Sequence, residues 1–423
     1  MELLNMKRWN LKWNFVIVLG ASSILSACGS VSNEESSSPE SYLYVWQFDP
    51  DENDDPNFLS VINSDLDFEN YGALVTTVPT TDVRGGAHHT SLVLPSSGFL
   101  FANDYKGNSS SIFDTRNTAA PIIIQTFKNK GNYNYAHTFS ELGNGNILGV
   151  FQTQDFDNPI AGGLVEMTTD GNVVQTGDAN SSDPDIFIRP YGLTMAPEHD
   201  RAMTTNFDML QTGLGEHIQI WELSSLTLLA SIAMPEAPDQ WRQNPYEARL
   251  MANGKSVMFN TLRCGLFVLE DITDAYSEIH FVHSFEGAEI CALPVRSGNY
   301  WLQTTQSQTN PDNNAIVVLD VHDPLQPVEV SRLIMGSGFF PHWMSPDITG
   351  SRIVLTGNGE HLSRRVMILN FDEATATLSI DPRFGAGDEF GSGVMLDRQV
   401  WPHGETGPAS AHGAVFWPPA FSD

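Results

Sequence analysis

Basic residues are scarce in this 423-residue sequence, which has 21 lysines and arginines against 51 aspartates and glutamates. The formal net charge of −30 argues against nucleic acid as a partner, because phosphate backbones are bound by basic surfaces. The sequence also has no nucleophile elbow, P-loop, G-x-G-x-x-G or C-x-x-C motif. These absences leave the serine hydrolase, nucleotide-binding and dithiol classes without support.

Cysteine is also scarce, with three residues in the chain. Cys264 and Cys291 lie in the body of the sequence and are able to pair in an oxidising compartment. Their spacing in the sequence does not show whether their Cα atoms are close enough to be bridged. A disulfide and two buried thiols therefore both remain open.

The remaining cysteine, Cys28, lies at the end of an N-terminal targeting segment. A basic stretch precedes a short apolar run at residues 15–25, and the sequence Leu-Ser-Ala-Cys that ends at Cys28 is typical of a bacterial lipoprotein cleavage site. We predict a signal peptide over residues 1–28, with Cys28 lipidated, and a Ser-rich tether over residues 29–40. The mature protein is then expected in the cell envelope, on the periplasmic face of the outer membrane.

Helical periodicity is nearly absent after this segment, and a strand pattern repeats instead. In each copy a β-rich run reaches a polar residue, a turn follows, and a second β-rich run completes a hairpin. The polar residues of the seven copies are Gln47, Asp114, Glu166, Glu222, Glu270, Asp320 and Asn370. After the first gap they recur at about 50 residues, which is the spacing of four-stranded propeller blades.

A second unit, two strands joined by a turn with Gly or Asp, lies between successive hairpins. This unit is expected to supply the two inner strands of a blade, and the following hairpin the two outer strands. The chain begins with an outer hairpin and ends with inner-strand material at Ala411–Pro418, so the N-terminal strands should complete the last blade. The predicted fold is all-β, one seven-bladed β-propeller over residues 41–423 rather than a β-sandwich.

Histidines recur at the start of the innermost strands, which line the central channel of a propeller. The polar residues at these strand starts are His88, His89, His137, Tyr191, Tyr246, Glu247, Glu289, His342 and His412. Converging imidazoles with few carboxylates are typical of copper or zinc sites rather than calcium or magnesium sites. The predicted metal ligands, at the mouth of the channel, are His88, His89, His137, His342 and His412.

Two questions of geometry concern the histidines of the chain. Successive side chains alternate between the two faces of a strand, so only one of His88 and His89 is expected to point straight into the channel. His403 lies in a C-terminal loop, and the sequence leaves open whether that loop brings it back towards His412.

Several segments resemble the selenium-binding protein family, whose bacterial members include copper-dependent methanethiol oxidases. The likeness extends over most of the mature chain at low identity. The segments that carry it are Tyr42–Pro50, His88-His89, Leu92-Val93-Leu94-Pro95, Ala136-His137-Thr138, Ile218–Glu222, Pro245-Tyr246-Glu247-Ala248-Arg249, Asp323-Pro324-Leu325-Gln326-Pro327 and Ala411-His412. The resemblance implies a seven-bladed propeller with a copper site. At the matching positions it implies four copper ligands, which are His88, His89, His137 and His412.

The sequence departs from the family in two places. The family's Cys-Ser-Ser-Cys segment soon after the paired histidines is absent, since Thr90-Ser91-Leu92 follows them here, so selenium binding through those cysteines is not expected. His342 stands where the family has another residue, and only the internal repeat adds it to the ligand set.

The residues and the resemblance together predict a copper-dependent oxidase of a small thiol such as methanethiol, with oxygen as the second substrate. Glu247 and Glu289 are the carboxylates at the strand starts, and we predict them as catalytic proton acceptors. Two other functions remain open. One is a periplasmic carrier of copper or zinc that passes its metal to a transporter, and the other is a metal-free scaffold for protein contacts. Membrane contact is expected through the lipid anchor only.

Overall fold

The computed structural model describes residues 40–50, 55–81, 86–155, 160–358, 364–385, 391–398 and 400–420. The predicted signal peptide, the lipidation site Cys28 and residues 29–39 of the predicted tether lie outside these residues. Regular structure in the described part of the chain is almost entirely β-strand, with one short helix at Asp239–Arg242 and two 3-10 turns at Pro197–His199 and Pro311–Asn313. No helix among these residues is long and apolar enough to span a membrane.

The strands follow the chain in groups of four after an initial set of three. The initial strands are β1 (Tyr42–Phe48), β2 (Phe58–Asn63) and β3 (Leu74–Pro79). Blade 1 consists of β4 (Ala87–Thr90), β5 (Phe99–Asp104), β6 (Ser109–Asp114) and β7 (Ile122–Phe127). The short strand β8 (Asn129–Lys130) then precedes blade 2, which consists of β9 (Tyr133–Glu141), β10 (Ile147–Thr153), β11 (Ala161–Met167) and β12 (Val173–Asp178).

The next three blades repeat the same antiparallel order from the innermost strand outwards. Blade 3 consists of β13 (Pro190–Ala196), β14 (Arg201–Asn206), β15 (His217–Glu222) and β16 (Thr227–Ala233). Blade 4 consists of β17 (Pro245–Leu250), β18 (Val257–Thr261), β19 (Gly265–Leu269) and β20 (Ile279–Ser284). Blade 5 consists of β21 (Ile290–Ser297), β22 (Tyr300–Gln306), β23 (Ala315–Asp320) and β24 (Val328–Ile334).

The C-terminal strands finish blade 6 and close the ring. Blade 6 consists of β25 (Pro341–Pro346), β26 (Arg352–Gly357), β27 (Arg365–Asp372) and β28 (Thr377–Ile380), and the short β29 (Val394–Met395) also pairs with β27. The strands β30 (Asp397–Arg398) and β31 (Gly407–Pro408) form a separate ribbon before β32 (Ser410–Trp417).

Blade 7 is built from both ends of the described chain. Its strand order is β32, β1, β2, β3 from the innermost strand outwards, with Tyr42 opposite Trp417 in the antiparallel ladder. Each innermost strand also contacts the innermost strand of the next blade, from β32 through β4, β9, β13, β17, β21 and β25 back to β32. The predicted seven-bladed propeller, closed by the N-terminal strands, is confirmed.

In one of the seven repeats, the sequence alignment matched a residue to the wrong strand of its blade. The alignment matched Gln47 with Asp114 and Asp320, which end the third strand of their blades, but Gln47 lies in β1, the second strand of blade 7. Asn63 ends the third strand, β2, and stands 51 residues before Asp114, whereas Gln47 stands 67 residues before it. The long first gap disappears because the C-terminus supplies one strand of blade 7 and the N-terminus three.

The burial of the strands reflects their position within the blades. Every residue of β10 and β11 is buried, because each blade is packed between two others, whereas the outermost strand β24 is mostly exposed. Four tryptophans at most 1 % exposed fill the interior, and these are Trp46, Trp221, Trp301 and Trp343. A disulfide between Cys264, in the turn before β19, and Cys291 in β21 joins blades 4 and 5. Of the two states left open by the sequence, the structure has the bonded one.

Candidate metal centre

Each of the seven innermost strands contains a β-bulge. In β4, Ala87 pairs with Asp104 and Thr90 pairs with Ala102, so three steps along β4 match two steps along β5. The other six strands each have one extra residue in the same way. The residues inside the bulges are His88-His89 in β4, His137-Thr138 in β9, Tyr191-Gly192 in β13, Tyr246-Glu247 in β17, Ala292-Leu293 in β21, His342 in β25 and His412-Gly413 in β32.

The bulge in β4 explains how two adjacent histidines reach the same place. A bulge bends its strand and changes the direction of the side chains on it, so the strict alternation of a regular strand is lost there. The rings of His88 and His89 are stacked, with centroids 4.2 Å apart and planes 9° apart. Both rings also contact the ring of His412, at 4.2 Å from His88 and 5.2 Å from His89. The expectation that only one of the pair points inward does not hold, because the bulge turns both.

The five predicted histidines form one cluster. His137 lies 4.2 Å from His89 and 5.1 Å from His88, measured between ring centroids. His342 lies 4.4 Å from His412 in an edge-to-face arrangement. Nitrogen atoms of His88, His89 and His412 lie within 4.8 Å of one another, so these three side chains form a group that could hold a metal ion. Residues far apart in the sequence thus converge because their strands are innermost in blades 6, 7, 1 and 2.

Burial sets the protonation state of the cluster. The five histidines are between 0 % and 8 % exposed, so the cluster is buried. Loss of solvation disfavours the imidazolium form, and this lowers the pKa of His137 to about 3 and that of His342 to about 4. The same cause, reinforced by neighbouring imidazoles, holds the pKa values of His88, His89 and His412 well below the ordinary value. Neutral imidazoles have the lone pair that a metal ion requires.

The donor atoms of the cluster fit a metal that prefers nitrogen ligands. Four buried ring nitrogens make no hydrogen bond in the structure, and these are His88 Nδ1, His89 Nε2, His137 Nε2 and His412 Nδ1. A buried polar atom without a partner is costly, and a metal ion bound by His88, His89 and His412 would satisfy the nitrogens of these three side chains. An all-imidazole set suits copper, zinc, iron or nickel, whereas calcium and magnesium take oxygen ligands.

Polar side chains in the second strands hold the bulges in place, and the sequence analysis did not identify them. Asn103 in β5 accepts a hydrogen bond from the His89 amide at 2.6 Å and donates one to the Ala136 carbonyl at 2.8 Å. Gln306 in β22 donates to the Pro341 carbonyl at 2.9 Å, and Thr356 donates to the His412 carbonyl at 2.7 Å. These bonds satisfy backbone groups beside the bulges. The available signal was an amide or hydroxyl inside an otherwise apolar strand.

Aromatic rings border the cluster on two sides. Trp343 lies edge-to-face with His89 at 5.0 Å, and Tyr191 lies 3.6 Å from His137. Tyr191 in turn contacts Tyr246 at 4.5 Å, so ring contacts extend from the histidines to the bulge of β17. These rings exclude water from the histidines and thereby contribute to their lowered pKa values.

Glu247, one of the two predicted catalytic carboxylates, lies in the bulge of β17 next to Tyr246. It is 4 % exposed, its Oε2 is 3.0 Å from Arg249 Nη1, and its Oε1 has no hydrogen-bond partner. Burial raises the pKa of Glu247, and the ion pair with Arg249 opposes this shift. A buried carboxylate with one unpaired oxygen and a raised pKa is suited to accept a proton.

Glu289, the other predicted carboxylate, precedes β21 and lies outside the bulge of that strand, which holds Ala292 and Leu293. Its carboxylate accepts hydrogen bonds from Ser307 and Thr309 at 2.9 and 2.7 Å, and these bonds lower its pKa. The described contacts of this carboxylate are therefore with hydroxyl groups rather than with a histidine of the cluster.

His403 does not join the cluster by any described contact. Its Nδ1 lies 2.6 Å from Thr77 Oγ1, its Nε2 lies 2.8 Å from Glu405, and its ring packs on Phe58 in blade 7. The described contacts of His403 outside its own loop are thus with the outer strands of blade 7, and none is with His412.

Comparison with known proteins agrees with the fold. No protein-family model matches the chain, and no curated protein sequence matches it. Among solved structures, a hypothetical selenium-binding protein from Sulfolobus tokodaii superimposes with a TM-score of 0.71 at 15 % identity, over 92 % of this chain and 96 % of that chain. The periplasmic gluconolactonase of Pseudomonas aeruginosa superimposes with a TM-score of 0.61 at 10 % identity, over 89 % and 98 %. At these identities the likeness shows a shared propeller fold.

Proposed function

We propose that this protein is a copper-dependent oxidase of small thiols. The observation that carries the proposal is the buried cluster of neutral imidazoles, four of which have a ring nitrogen without a hydrogen-bond partner. Such a set is costly to bury unless something binds those nitrogens, and a metal ion held by His88, His89 and His412 would bind three of them. His137, whose ring lies 4.2 Å from that of His89, is the fourth ligand in this proposal.

Copper is the metal we favour, and zinc is the alternative. Both accept imidazole nitrogen, but only copper changes oxidation state under biological conditions. When bound, copper would supply a Lewis acid that lowers the pKa of a thiol and a centre that accepts electrons. The likeness to a structure described as a selenium-binding protein supports the proposal only through the shared fold.

The proposed reaction converts methanethiol, oxygen and water to formaldehyde, hydrogen sulfide and hydrogen peroxide. Carbon loses two electrons and the C–S bond breaks, while oxygen gains two electrons and two protons. We assign the proton released from the substrate to Oε1 of Glu247, because this oxygen has no hydrogen-bond partner and burial raises the pKa of the carboxyl. The aromatic rings of Tyr191 and Trp343 would keep bulk water away from the reacting groups.

The setting of the reaction is part of the proposal. The lipoprotein signature that ends at Cys28 suits a protein anchored at the periplasmic face of the outer membrane, where thiol and oxygen are both accessible. The disulfide between Cys264 and Cys291 suits an oxidising compartment. If the protein is instead a metal carrier, it would pass its metal ion to a transporter and would not oxidise thiols.

The first test is the metal content of the full chain, extracted from the membrane fraction with detergent and analysed for elements. We expect about one copper per chain, which one buried site would hold, and formaldehyde, sulfide and peroxide in equal amounts when methanethiol is added. A His89→Ala, His137→Ala double variant should lose the copper, whereas a His322→Ala control, on the exposed surface, should keep it.

Other outcomes favour the other functions. Zinc in place of copper, released without thiol turnover, would indicate the carrier. No metal after reconstitution with either ion would contradict both metal-based functions and leave the scaffold.

A further inference from the structure

His137 and His342 stand at equivalent bulges of two innermost strands, yet their ring nitrogens have different partners. The Nδ1 atom of His137 lies 3.1 Å from the carbonyl oxygen of Tyr191. Thr138 Oγ1 lies 3.0 Å from the same Nδ1, but its hydroxyl donates to the Tyr191 carbonyl at 2.9 Å. Both neighbours of Nδ1 therefore accept from it, so Nδ1 of His137 carries the proton. Its Nε2 then has a lone pair, and this atom is buried without a partner. His137 is therefore in the form that a metal ligand needs.

The partner of His342 is a hydrogen-bond donor instead. Its Nδ1 atom lies 3.2 Å from the side-chain nitrogen of Gln306. The orientation of the Gln306 amide is fixed, because the same nitrogen donates to the Pro341 carbonyl at 2.9 Å and an amide oxygen facing that carbonyl would be repelled. The second hydrogen of the NH2 group then points at Nδ1, which accepts it. In the neutral ring the proton of His342 must therefore be on Nε2.

The position of that proton decides what His342 can do. A neutral histidine that binds a metal uses a nitrogen with a lone pair and carries its proton on the other nitrogen. In His342 the nitrogen with the lone pair is occupied by Gln306, and the remaining nitrogen carries the proton. The N–H of Nε2 points away from Gln306, since the two ring nitrogens face different directions, and the ring lies 4.4 Å from that of His412.

We propose that His342 is not a metal ligand but a positioning residue, whose Nε2–H donates a hydrogen bond to the anion held at the four-histidine site. The recognised chemistry is that of a small anion such as a thiolate. The hydrogen bond to a bound anion rests on the proposed metal function. The position of the proton on His342, and the conclusion that His342 is not a ligand, do not depend on that function. The proposal replaces the sequence-based prediction of His342 as a fifth ligand.

The tautomer is tested directly by nitrogen NMR on the metal-free full chain, labelled with 15N at histidine. Long-range proton–nitrogen correlations distinguish the two neutral forms, and the spectra of His137→Phe and His342→Phe assign the signals. We expect the proton on Nδ1 in His137 and on Nε2 in His342. A proton on Nδ1 of His342 would overturn the proposal, whether or not the protein binds a metal.

The role is tested by two matched variants loaded with copper. His137→Phe should weaken copper binding at least 100-fold. His342→Phe should keep one copper per chain with affinity within about threefold, because His342 hydrogen-bonds the bound anion and not a ligand ring, whereas losing a partner of a ligand ring costs about 10- to 100-fold. In His342→Phe the affinity of the loaded site for azide should fall about tenfold, the usual effect of losing one hydrogen bond to a charged group. His342→Gln, which keeps an N–H donor, should restore part of that loss and serves if the Phe variant fails to fold.

The outcomes separate this proposal from the proposed function. Loss of copper in both His342 variants would make His342 a ligand and overturn the proposal while leaving the metal function intact. Unchanged azide affinity in His342→Phe would also overturn it. Absence of copper from the unaltered protein would contradict the metal function and, with it, the donation to a bound anion, and the NMR measurement would still decide the tautomer.

Discussion

The seven bulges of the propeller fall into two groups of adjacent blades. Blades 6, 7, 1 and 2, the histidine half, present only histidine rings for a metal, whereas blades 3, 4 and 5, the tyrosine half, present Tyr191, Tyr246 with Glu247, and Ala292 with Leu293. The bulge is the same in both halves, with one extra residue at the same point of each innermost strand. The difference in chemistry therefore comes from the side chains, since the backbone offers each blade the same position.

The two halves satisfy their buried groups in different ways. In the tyrosine half, Thr205 donates to the Tyr246 carbonyl, Arg249 pairs with Glu247, and a disulfide joins blades 4 and 5. In the histidine half, four ring nitrogens have no partner although they are buried. The tyrosine half also leaves a buried atom unpaired, Glu247 Oε1, but only the histidine half gathers several unpaired ring nitrogens of one chemical kind, which one ligand could bind together. This division is a physical basis for a site in an otherwise symmetric ring.

The largest expected difference between the halves is in their response to acid. The pKa values of the five histidines are lowered in the folded protein, so the unfolded chain takes up protons first as the pH falls below about 6.5. Their contribution to stability is fully present above that pH and is lost as the pH falls towards the folded values, about 4 for His342 and about 3 for His137. Each contributes a slope of up to about 1.4 kcal/mol per pH unit.

Urea unfolding of the chelator-treated protein at pH 7, 6 and 5 measures this slope. The range above pH 5 keeps most carboxylates ionised, so that the histidines dominate. In a His342→Phe variant the free energy of unfolding should fall less steeply with pH, because unfolding takes up about one proton fewer. His199→Gln, outside the cluster, should leave this slope unchanged. A free energy of unfolding that stays constant from pH 7 to pH 5 would contradict the buried neutral cluster.

A second prediction concerns the disulfide of the tyrosine half. Replacing both Cys264 and Cys291 by alanine opens a loop with a sequence separation of 27 residues, and we expect the free energy of unfolding to fall by about 3 kcal/mol. Copper stoichiometry should not change, because the bridge joins blades 4 and 5 and the histidines lie on other blades. Unfolding of the unaltered protein in reductant is the matched control and should show a similar loss. Loss of copper in the double variant would break the separation of the two halves.

The sequence predicted the architecture because the architecture is repetitive. Spacing of polar residues at about 50 positions, together with inner-strand material at the C-terminus, was enough to predict seven blades and their closure. The same reasoning placed His88, His137 and His412 on innermost strands, where the structure has them. Periodicity in the sequence reports which strand a residue belongs to, and strand position decides which residues converge.

The bulges could not be predicted in this way, because they depend on which backbone groups pair across strands. For that reason the inward turn of both His88 and His89 could not be predicted from the sequence. The sequence alignment also matched Glu289 with positions that the structure assigns to Ala292 and Leu293. The role of Gln306 was equally hidden. An amide in an apolar strand indicates a buried hydrogen bond, but its partner becomes known only when the strands are placed side by side.

The smallest expected effects concern two glycines that lie inside bulges, one in each half. A Cβ atom added at Gly413 would lie 2.5 Å from the Thr90 backbone nitrogen in β4, and one added at Gly192 would lie 2.6 Å from the Tyr246 carbonyl oxygen in β17. Both contacts force neighbouring innermost strands apart, so each alanine variant should lose about 1 to 3 kcal/mol of stability. Chemical unfolding of Gly413→Ala and Gly192→Ala should thus give similar results.

Copper affinity should distinguish these two variants. Gly413→Ala separates β32 from β4 and hence His412 from His88 and His89, so we expect at least about tenfold weaker binding, as for loss of a supporting residue. Gly192→Ala pushes against β17, which carries no histidine. This variant should therefore bind copper about tenfold more tightly than Gly413→Ala, with an affinity near that of the unaltered protein. Titration of both variants with copper in the presence of a competing chelator measures this difference. Equal weakening in both would mean that the ring responds to strain as one body, and the two halves would then differ in side chains without being mechanically separate.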